Sequence, residues 1–344
     1  MYRHIYIPVD NSEHANAAMD LAMALGKAFG SELVGSHVVA AGLHAHRFHQ
    51  MESTLPERYQ NEAVLEQQRR NHASLISRGL RLIAESYLDV MTSKAQQAGL
   101  PFTRKLLDGK NYAELVRHIR ETEPDLVILG AQGMGAVKES ALGSVCERVI
   151  RRVRTDTLVV KHARLGAWDR GGPILVGVDG SPQSYGGLMA ALALGRAFGT
   201  PVEAVAAYDP TLHGLIFHRL VGVLSEKAAG LFRSEEQEQL HEDVIDTGLA
   251  RIYRSHLEIA RQMAEGEGLP LKITLLCGKP FDRILQHLRT AQPWLLVLGR
   301  TGYHSDEELD IGSTSENLLR LAPCHVLLTS RTFSPPMDVK GEAT

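Results

Sequence analysis

The spacing of apolar residues changes repeatedly along the first half of the chain between the period of a strand and that of a helix. Short runs such as "HIYIPV" and "DLVILG" are typical of buried strands, whereas the alanine-rich "EHANAAMDLAMALGKAF" is typical of an amphipathic helix. The pattern predicts strands over residues 5–9, 32–39, 102–107, 125–129 and 157–161, and helices over residues 13–29, 61–98, 112–121 and 145–153. Residues 40–60 show no clear period, and we predict an irregular segment there.

Strands that alternate with helices predict an α/β fold, in which a parallel sheet is covered by helices on both faces. The nearly continuous apolar strands agree, because a strand in such a sheet is buried on both faces. In open sheets of this kind, ligands bind beyond the carboxyl ends of the strands, where the strand order reverses.

The second half of the chain repeats the first at an offset of 169 residues without a gap. "HIYIPVDNSEHANAAMDLAMALGKAFG" from His4 aligns with "PILVGVDGSPQSYGGLMAALALGRAFG" from Pro173, which pairs Asp10 with Asp179. A period this long indicates duplicated domains rather than a solenoid. We predict domain 1 over residues 1–163, a linker over 164–172, domain 2 over 173–330 and a C-terminal tail over 331–344.

Composition and charge limit the binding partners and the cellular compartment that we expect. A length of 344 residues fits two domains, and a net charge of -3 gives no electrostatic reason to expect nucleic acid or an anionic membrane. Three cysteines without a CxxC spacing indicate reduced thiols rather than a disulfide framework. The N-terminus has no apolar signal core and the sequence has no run of 18 apolar residues, so we expect a cytoplasmic protein.

A glycine-rich stretch, "GAQGMGAVKESALGS" from Gly130, follows the fourth predicted strand of domain 1. It lacks the Gly-Lys-Ser/Thr of a P-loop and the GxGxxG of dinucleotide folds. Its own spacing is GxxG, nine residues and Gly-Ser, and "GRTGYHSDEELDIGS" from Gly299 repeats that spacing. Glycines at these positions allow positive φ and let the backbone approach a ligand closely, while the helix that follows offers N–H groups to an anion.

A structural interpretation competes with the binding interpretation. Ser144 with Glu147, and Ser313 with Glu316, have the spacing of a capping box, which starts a helix without any ligand. The binding interpretation gains support from the aspartates that end the first strand of each half. An acceptor at one side and amide donors at the other suit an adenine nucleotide, with the aspartate near the base and ribose and the loop around the phosphates.

On these motifs the chain resembles a tandem universal stress protein, over nearly its whole length except residues 40–60 and their copy. The resemblance implies two domains, each with a five-stranded parallel sheet in the order 3-2-1-4-5, that bind ATP in a stress-response or regulatory role. It also implies pairing through the last strand of each domain. In a tandem chain this pairing can join residues 157–161 to residues 325–329 as an intramolecular pseudo-dimer, with a further homodimer as an additional expectation.

The resemblance also assigns the site residues. In domain 1 they are Asp10 and Val39 for the base and ribose, and Gly130, Gly133, Gly143, Ser144 and Val145 for the phosphates. A second nucleotide site would use Asp179, Gly299, Gly302, Gly312, Ser313 and Thr314.

The two halves differ in the residues between their glycines. Domain 1 has "MGAVKESAL", in which Lys138 and Glu139 cancel, whereas domain 2 has "YHSDEELDI" with Asp306, Glu307, Glu308 and Asp310. Because carboxylates repel phosphates, we predict that domain 1 binds ATP more tightly and that domain 2 binds none or requires a divalent cation such as Mg²⁺. A solvated surface loop explains the same acidic run equally well.

Histidines recur in the long segment of each half. They are His44, His49 and His72 in domain 1, and His213, His218 and His241 in domain 2. Imidazole is a common zinc ligand, so a zinc site is one interpretation, and packed or solvated histidines are the other.

No arrangement of nucleophile and base stands out, and we expect Cys146 and Cys324 to be buried, inert thiols. Without a P-loop lysine we expect at most a weak ATPase. The alternatives to a nucleotide-binding regulatory protein are a slow ATPase or nucleotidyl-transfer enzyme on the same fold, and a scaffold that binds a metal or partner and keeps vestigial loops.

Overall fold

The computed structural model describes residues 1–59, 61–135, 137, 140–163, 172–210, 247–303 and 310–335. The chain divides into two compact units, Met1–Gly166 and Ala167–Thr344. The predicted linker lies largely outside the described residues, as does most of the predicted tail. Among the helices described, none combines the length and the hydropathy needed to cross a bilayer.

Domain 1 alternates strands and helices as its hydrophobic pattern predicts. In chain order it contains β1 (His4–Pro8), α1 (Glu13–Phe29), β2 (Glu32–Val39), α2 (Ala41–Met51), α3 (Glu62–Ala98), β3 (Phe102–Asp108), α4 (Asn111–Thr122), β4 (Leu126–Gly130), α5 (Ser144–Arg152) and β5 (Asp156–Val160). Short 3-10 turns at Glu52–Thr54 and Glu57–Tyr59 connect α2 to α3.

The sheet of domain 1 is parallel throughout. β1 pairs with both β2 and β4, β2 pairs with β3, and β4 pairs with β5, which gives the order β3-β2-β1-β4-β5. The strand order reverses at β1, which lies between β2 and β4, so the switch point falls between β1 and β4. These two strands end side by side at the carboxyl edge of the sheet. Apolar side chains of β1 and β4 are buried on both faces, as a parallel sheet between helices requires.

Helix α1 begins and ends where its sequence specifies. Ser12 is the N-cap, and its side chain accepts a hydrogen bond from the backbone N–H of Ala15. Gly30 ends the helix at φ 65°, a left-handed conformation that glycine adopts without strain. The N-cap at Ser12 fixes the direction in which the chain leaves β1, and therefore the position of Asp10.

The prediction of an irregular segment over residues 40–60 is wrong for its first half, because Ala41–Met51 forms helix α2. α2 buries little, so its sequence has no clear apolar stripe. Contacts with α3 hold it instead. The ring of Phe48 stacks on His72 at 4.4 Å, and Arg69 donates hydrogen bonds of 2.8 Å to both carboxylate oxygens of Glu52.

Domain 2 repeats this architecture in the residues that are described. Its elements are β6 (Ile174–Gly177), α6 (Pro182–Phe198), β7 (Val202–Tyr208), α7 (Thr247–Gly266), β8 (Leu271–Cys277), α8 (Pro280–Ala291), β9 (Leu295–Gly299), α9 (Ser313–Leu321) and β10 (His325–Thr329). The parallel pairings give the order β8-β7-β6-β9-β10. The predicted α/β fold is thus confirmed in both domains.

Candidate functional site

A cavity of about 460 Å³ opens at the carboxyl edge of the domain 1 sheet. All seven residues assigned to the first site line it: Asp10, Val39, Gly130, Gly133, Gly143, Ser144 and Val145. β1, β2 and β4 contribute their ends, the glycine loop and the start of α5 form one wall, and α3 forms another. The fold therefore brings together residues that are up to 135 positions apart.

Asp10 connects the end of β1 to the glycine loop. Its Oδ1 accepts a hydrogen bond of 3.1 Å from the N–H of Ser12, and its Oδ2 accepts one of 3.2 Å from the N–H of Met134. Asn11 makes this turn at φ 60°, in the left-handed region. A carboxylate has about four acceptor positions, so Asp10 can still accept hydrogen bonds from a ligand.

Two of the loop glycines, Gly130 and Gly133, serve close packing. The positive φ that glycine allows is not used, because none of Gly130, Gly133 and Gly143 lies in the left-handed region. A Cβ on Gly130 would lie 2.9 Å from the backbone N of Ala15, and one on Gly133 would lie 2.5 Å from Oδ2 of Asp10. At Gly143 a Cβ would meet nothing closer than 3.4 Å, so the fold itself tolerates a Cβ there.

The start of α5 faces the cavity without a side-chain cap. Gly143, not Ser144, is the N-cap, and no side chain caps this helix, so the predicted capping box of Ser144 and Glu147 is wrong. The same holds for α9, where Gly312 precedes Ser313. The first N–H groups of a helix have no acceptor within it, and Val145 and Cys146 carry two of them on the cavity wall.

Several residues that line the domain 1 cavity were not predicted from the sequence. His37 on β2 has its Nδ1 2.6 Å from the carbonyl oxygen of Val9, and Leu80 and Ile83 form the α3 wall. The spacing of Leu80 and Ile83 on one helix face was a usable signal. The carbonyl of Val39 is already an acceptor, at 2.9 Å from the N–H of Gly109.

Domain 2 has a related but smaller cavity of about 230 Å³. All six residues assigned to the second site line it: Asp179, Gly299, Gly302, Gly312, Ser313 and Thr314. Asp179 repeats the connection made by Asp10, since its carboxylate accepts from the N–H groups of Ser181 at 3.0 Å and Tyr303 at 2.9 Å. Tyr253 of α7 also lines this cavity.

The acidic residues of the second loop are described only in part. Asp310 is exposed, and Asp306, Glu307 and Glu308 lie outside the described residues. Their predicted repulsion of phosphates therefore stays a prediction.

The structure does not gather the domain 1 histidines into a metal site. His44 lines the cavity, the Nδ1 of His49 lies 2.7 Å from Oε1 of Glu52, and His72 stacks on Phe48. Within the described ranges no group of three or more potential ligands could hold a metal ion. His213, His218 and His241 fall in residues 211–246, outside those ranges.

Two of the three cysteines are buried, as predicted. Cys146 is 5% exposed and Cys324 is 2% exposed, whereas Cys277 is exposed. Burial raises the pKa of the Cys146 thiol to about 12, so this thiol stays protonated and unreactive near neutral pH.

Together these features define a duplicated open α/β protein with a cavity at the switch point of each parallel sheet, where proteins of this architecture bind ligands. The chain belongs to the universal stress protein family, whose model matches residues 1–161 and again residues 172–330. The resemblance seen in the sequence is thereby confirmed.

Relatives that match one or both halves of the chain support this assignment. Universal stress protein Rv1996 of Mycobacterium tuberculosis is 25% identical over 258 residues, which cover 75% of this chain and 74% of that protein. Universal stress protein MJ0531 of Methanocaldococcus jannaschii is 27% identical over 164 residues, or 48% of this chain and 85% of that protein. The crystal structure of a universal stress protein from Archaeoglobus fulgidus has the same fold, with a TM-score of 0.60, 17% identity and coverage of 95% of this chain and 97% of that one.

Proposed function

We propose that the protein is a regulatory nucleotide-binding protein of the stress response, and that domain 1 binds ATP, together with Mg²⁺. The observation that carries this proposal is the cavity of about 460 Å³ that a strand-end carboxylate and an uncapped helix N-terminus line together. Its volume lies within the roughly 300–1,000 Å³ typical of small-molecule sites. In this role, bound ATP alters the conformation of the protein or its choice of partner.

The start of α5 supports binding of the phosphates. Its first N–H groups and the positive end of the helix dipole favour an anion, and Gly143 keeps the approach free of a side chain. The exposed hydroxyl of Ser144 adds a donor.

The strand ends and the α3 wall of the cavity suit a base and a ribose. Val39, Leu80 and Ile83 provide apolar surface, against which a planar base can be buried. Asp10 repels phosphates but accepts hydrogen bonds from ribose hydroxyls, so its position favours one orientation of the nucleotide. Because the sequence lacks a P-loop lysine, we expect ATP to stay intact during long incubation with Mg²⁺.

Substitution of Ser144 by aspartate separates ligand binding from folding. A carboxylate in the first turn of α5 complements the helix dipole and leaves stability unchanged or slightly raised, whereas it repels a phosphate. At about 4 Å and an effective dielectric constant near 20 the repulsion is roughly 4 kcal/mol, so we expect at least a 100-fold loss of ATP affinity.

Isothermal titration of the full-length chain with Mg-ATP measures this loss. Ser313→Asp makes the same change at the start of α9 and serves as the matched control, which should leave the domain 1 affinity unaltered. The proposal is wrong if the wild type takes up no ATP, or if Ser144→Asp binds ATP as tightly as the wild type does.

A further inference from the structure

The cavities of the two domains differ in volume although corresponding strand ends and loop glycines line both. The cavity of domain 1 measures about 460 Å³ and that of domain 2 about 230 Å³. The strand-end aspartates, the loop glycines and the uncapped helix starts correspond in the two domains. Among the described residues, the wall formed by α3 in domain 1 and by α7 in domain 2 is a place where the two cavities differ.

Ala84 of α3 and Tyr253 of α7 occupy corresponding positions. Both helices are followed by a left-handed glycine at φ 69°, Gly99 in domain 1 and Gly268 in domain 2, which sets their register. Three buried pairs support that register, namely Leu88 and Leu257, Met91 and Ala260, and Ala95 and Ala264. Ala84 is fully buried and is not among the residues that line the domain 1 cavity, whereas Tyr253 lines the cavity of domain 2.

Tyr253 belongs to a group of rings beside Asp179. Its ring centroid lies 6.3 Å from that of Tyr208, which stands where domain 1 has Val39, and 5.9 Å from that of His256. Burial, and then the nearby carboxylate of Asp179, raise the pKa of the Tyr253 phenol. The ring of His256 in turn lies against Gly180, directly after Asp179.

We propose that Tyr253 closes domain 2 to nucleotides, because its ring fills the part of the cavity that a base and ribose take in domain 1. The inference rests on the function proposed for domain 1, which defines where base and ribose lie. The space that remains in domain 2 is bordered by the loop glycines and by strand-end residues such as Asp179 and Ala207 and, at about 230 Å³, is smaller than typical small-molecule sites. Tyr253 thus determines which domain takes the ligand.

Steric closure and electrostatic repulsion by the acidic loop predict different behaviour. Repulsion between the loop carboxylates and a phosphate weakens as salt is added, since salt screens charges separated by more than roughly 10 Å at 0.1 M. A ring that fills the cavity excludes the base at any salt concentration. Removal of the ring should therefore open domain 2, whereas neutralisation of the loop should not.

The test is the number of Mg-ATP molecules bound per full-length chain, measured by isothermal titration at low and high salt. We expect one in the wild type and two in Tyr253→Ala, with the second site at least tenfold tighter than any residual binding by domain 2 of the wild type. Tyr253→Val, which keeps more packing, should also bind two if Tyr253→Ala is unstable. Tyr253→Phe keeps the ring and is the matched control, with one expected.

Each outcome decides between the two proposals. If the wild type binds two, or if Tyr253→Ala and Tyr253→Val are folded and still bind one, the inference about Tyr253 is overturned and the function proposed for domain 1 stands. If the wild type binds none and Tyr253→Ala binds one, domain 1 is not the site but Tyr253 does close domain 2. If both bind none, both proposals are overturned.

Discussion

The contact between Gly133 and Asp10 makes a quantitative prediction for the substitution Gly133→Ala. The added Cβ would lie 2.5 Å from Oδ2 of Asp10, closer than real Cβ contacts allow. The carboxylate cannot swing away without cost, because the N–H groups of Ser12 and Met134 hold it at 3.1 and 3.2 Å. Either the loop or the carboxylate must move, and the Met134 hydrogen bond is lost in both cases.

The magnitude follows from that hydrogen bond. A hydrogen bond to a charged group contributes about 1.5–3 kcal/mol. Replacement of glycine by alanine returns about 0.4–1 kcal/mol, because the unfolded chain loses freedom. We therefore expect domain 1 to lose about 1–2 kcal/mol of unfolding free energy.

Native-state hydrogen exchange, followed by mass spectrometry, reports on each domain separately. Protection of β1 and β4 amides should fall, while β6 and β9 amides in the same sample provide an internal reference. Gly135→Ala is the matched control in the same loop, because a Cβ there meets nothing within 4 Å. It should leave protection unchanged or slightly raised.

A double-mutant cycle provides the refutation. In an Asp10→Ala background the clash and its hydrogen bond are both absent, so Gly133→Ala should cost almost nothing. The reasoning fails if the two substitutions are additive within about 0.5 kcal/mol.

Three further predictions concern other parts of the molecule. Gly130→Ala should cost more than Gly133→Ala, about 2–3 kcal/mol by the same exchange assay, because its Cβ would meet two backbone atoms at 2.9 Å, the N of Ala15 and the C of His14; an equal or smaller loss would contradict this. A thiol reagent at pH 8 should modify one thiol quickly in the native protein, and Cys277→Ser should abolish that reaction, since Cys277 alone of the three is exposed; fast reaction of the remaining two would be inconsistent with their burial. Burial raises the pKa of Glu203, but hydrogen bonds to the carboxylate outweigh burial, so the pKa lies below the ordinary value for glutamate. The charged form therefore stabilises domain 2 above that ordinary value, and this stability is lost as the pH falls through the lowered pKa. Acid unfolding of Glu203→Gln should depend less on pH, and an unchanged acid profile would argue against the mechanism. The donors are Thr274, Lys272 and His287.

The layers of the fold were predictable from the sequence, because buried strands and amphipathic helices space their apolar residues in recognisable patterns. The boundaries of α1 and of β2 agree with the hydrophobic pattern to the residue, since Ser12, Gly30 and the apolar alternation specify them. Helix α2 was missed because it is held by a ring stack and an ion pair with α3, and such contacts leave no period in the sequence.

Membership of the cavity walls was also predictable, but the local geometry was not. Duplication of the glycine spacing identified the residues that line both cavities, whereas the φ angles and the helix caps depend on how the loop folds back over β1. The role of Tyr253 was not predictable from the sequence. That a tyrosine of domain 2 stands where domain 1 has an alanine becomes informative only once the position of the cavity is known.

The two copies separate what the glycine motif does for the fold from what it offers to a ligand. The clash of a Cβ with the strand-end aspartate recurs at Gly133 and Gly302, at 2.5 Å in each, even though the domain 2 cavity is half as large. Aspartate and the GxxG spacing are thus required by the loop itself, whether or not a nucleotide binds. Gly143 is different, because at its φ of -72° an added Cβ would lie no closer than 3.4 Å to its neighbours, an ordinary contact distance. We therefore expect Gly143→Ala to keep the exchange protection of β4 and to weaken ATP binding; loss of both together would mean that this glycine, too, serves the fold.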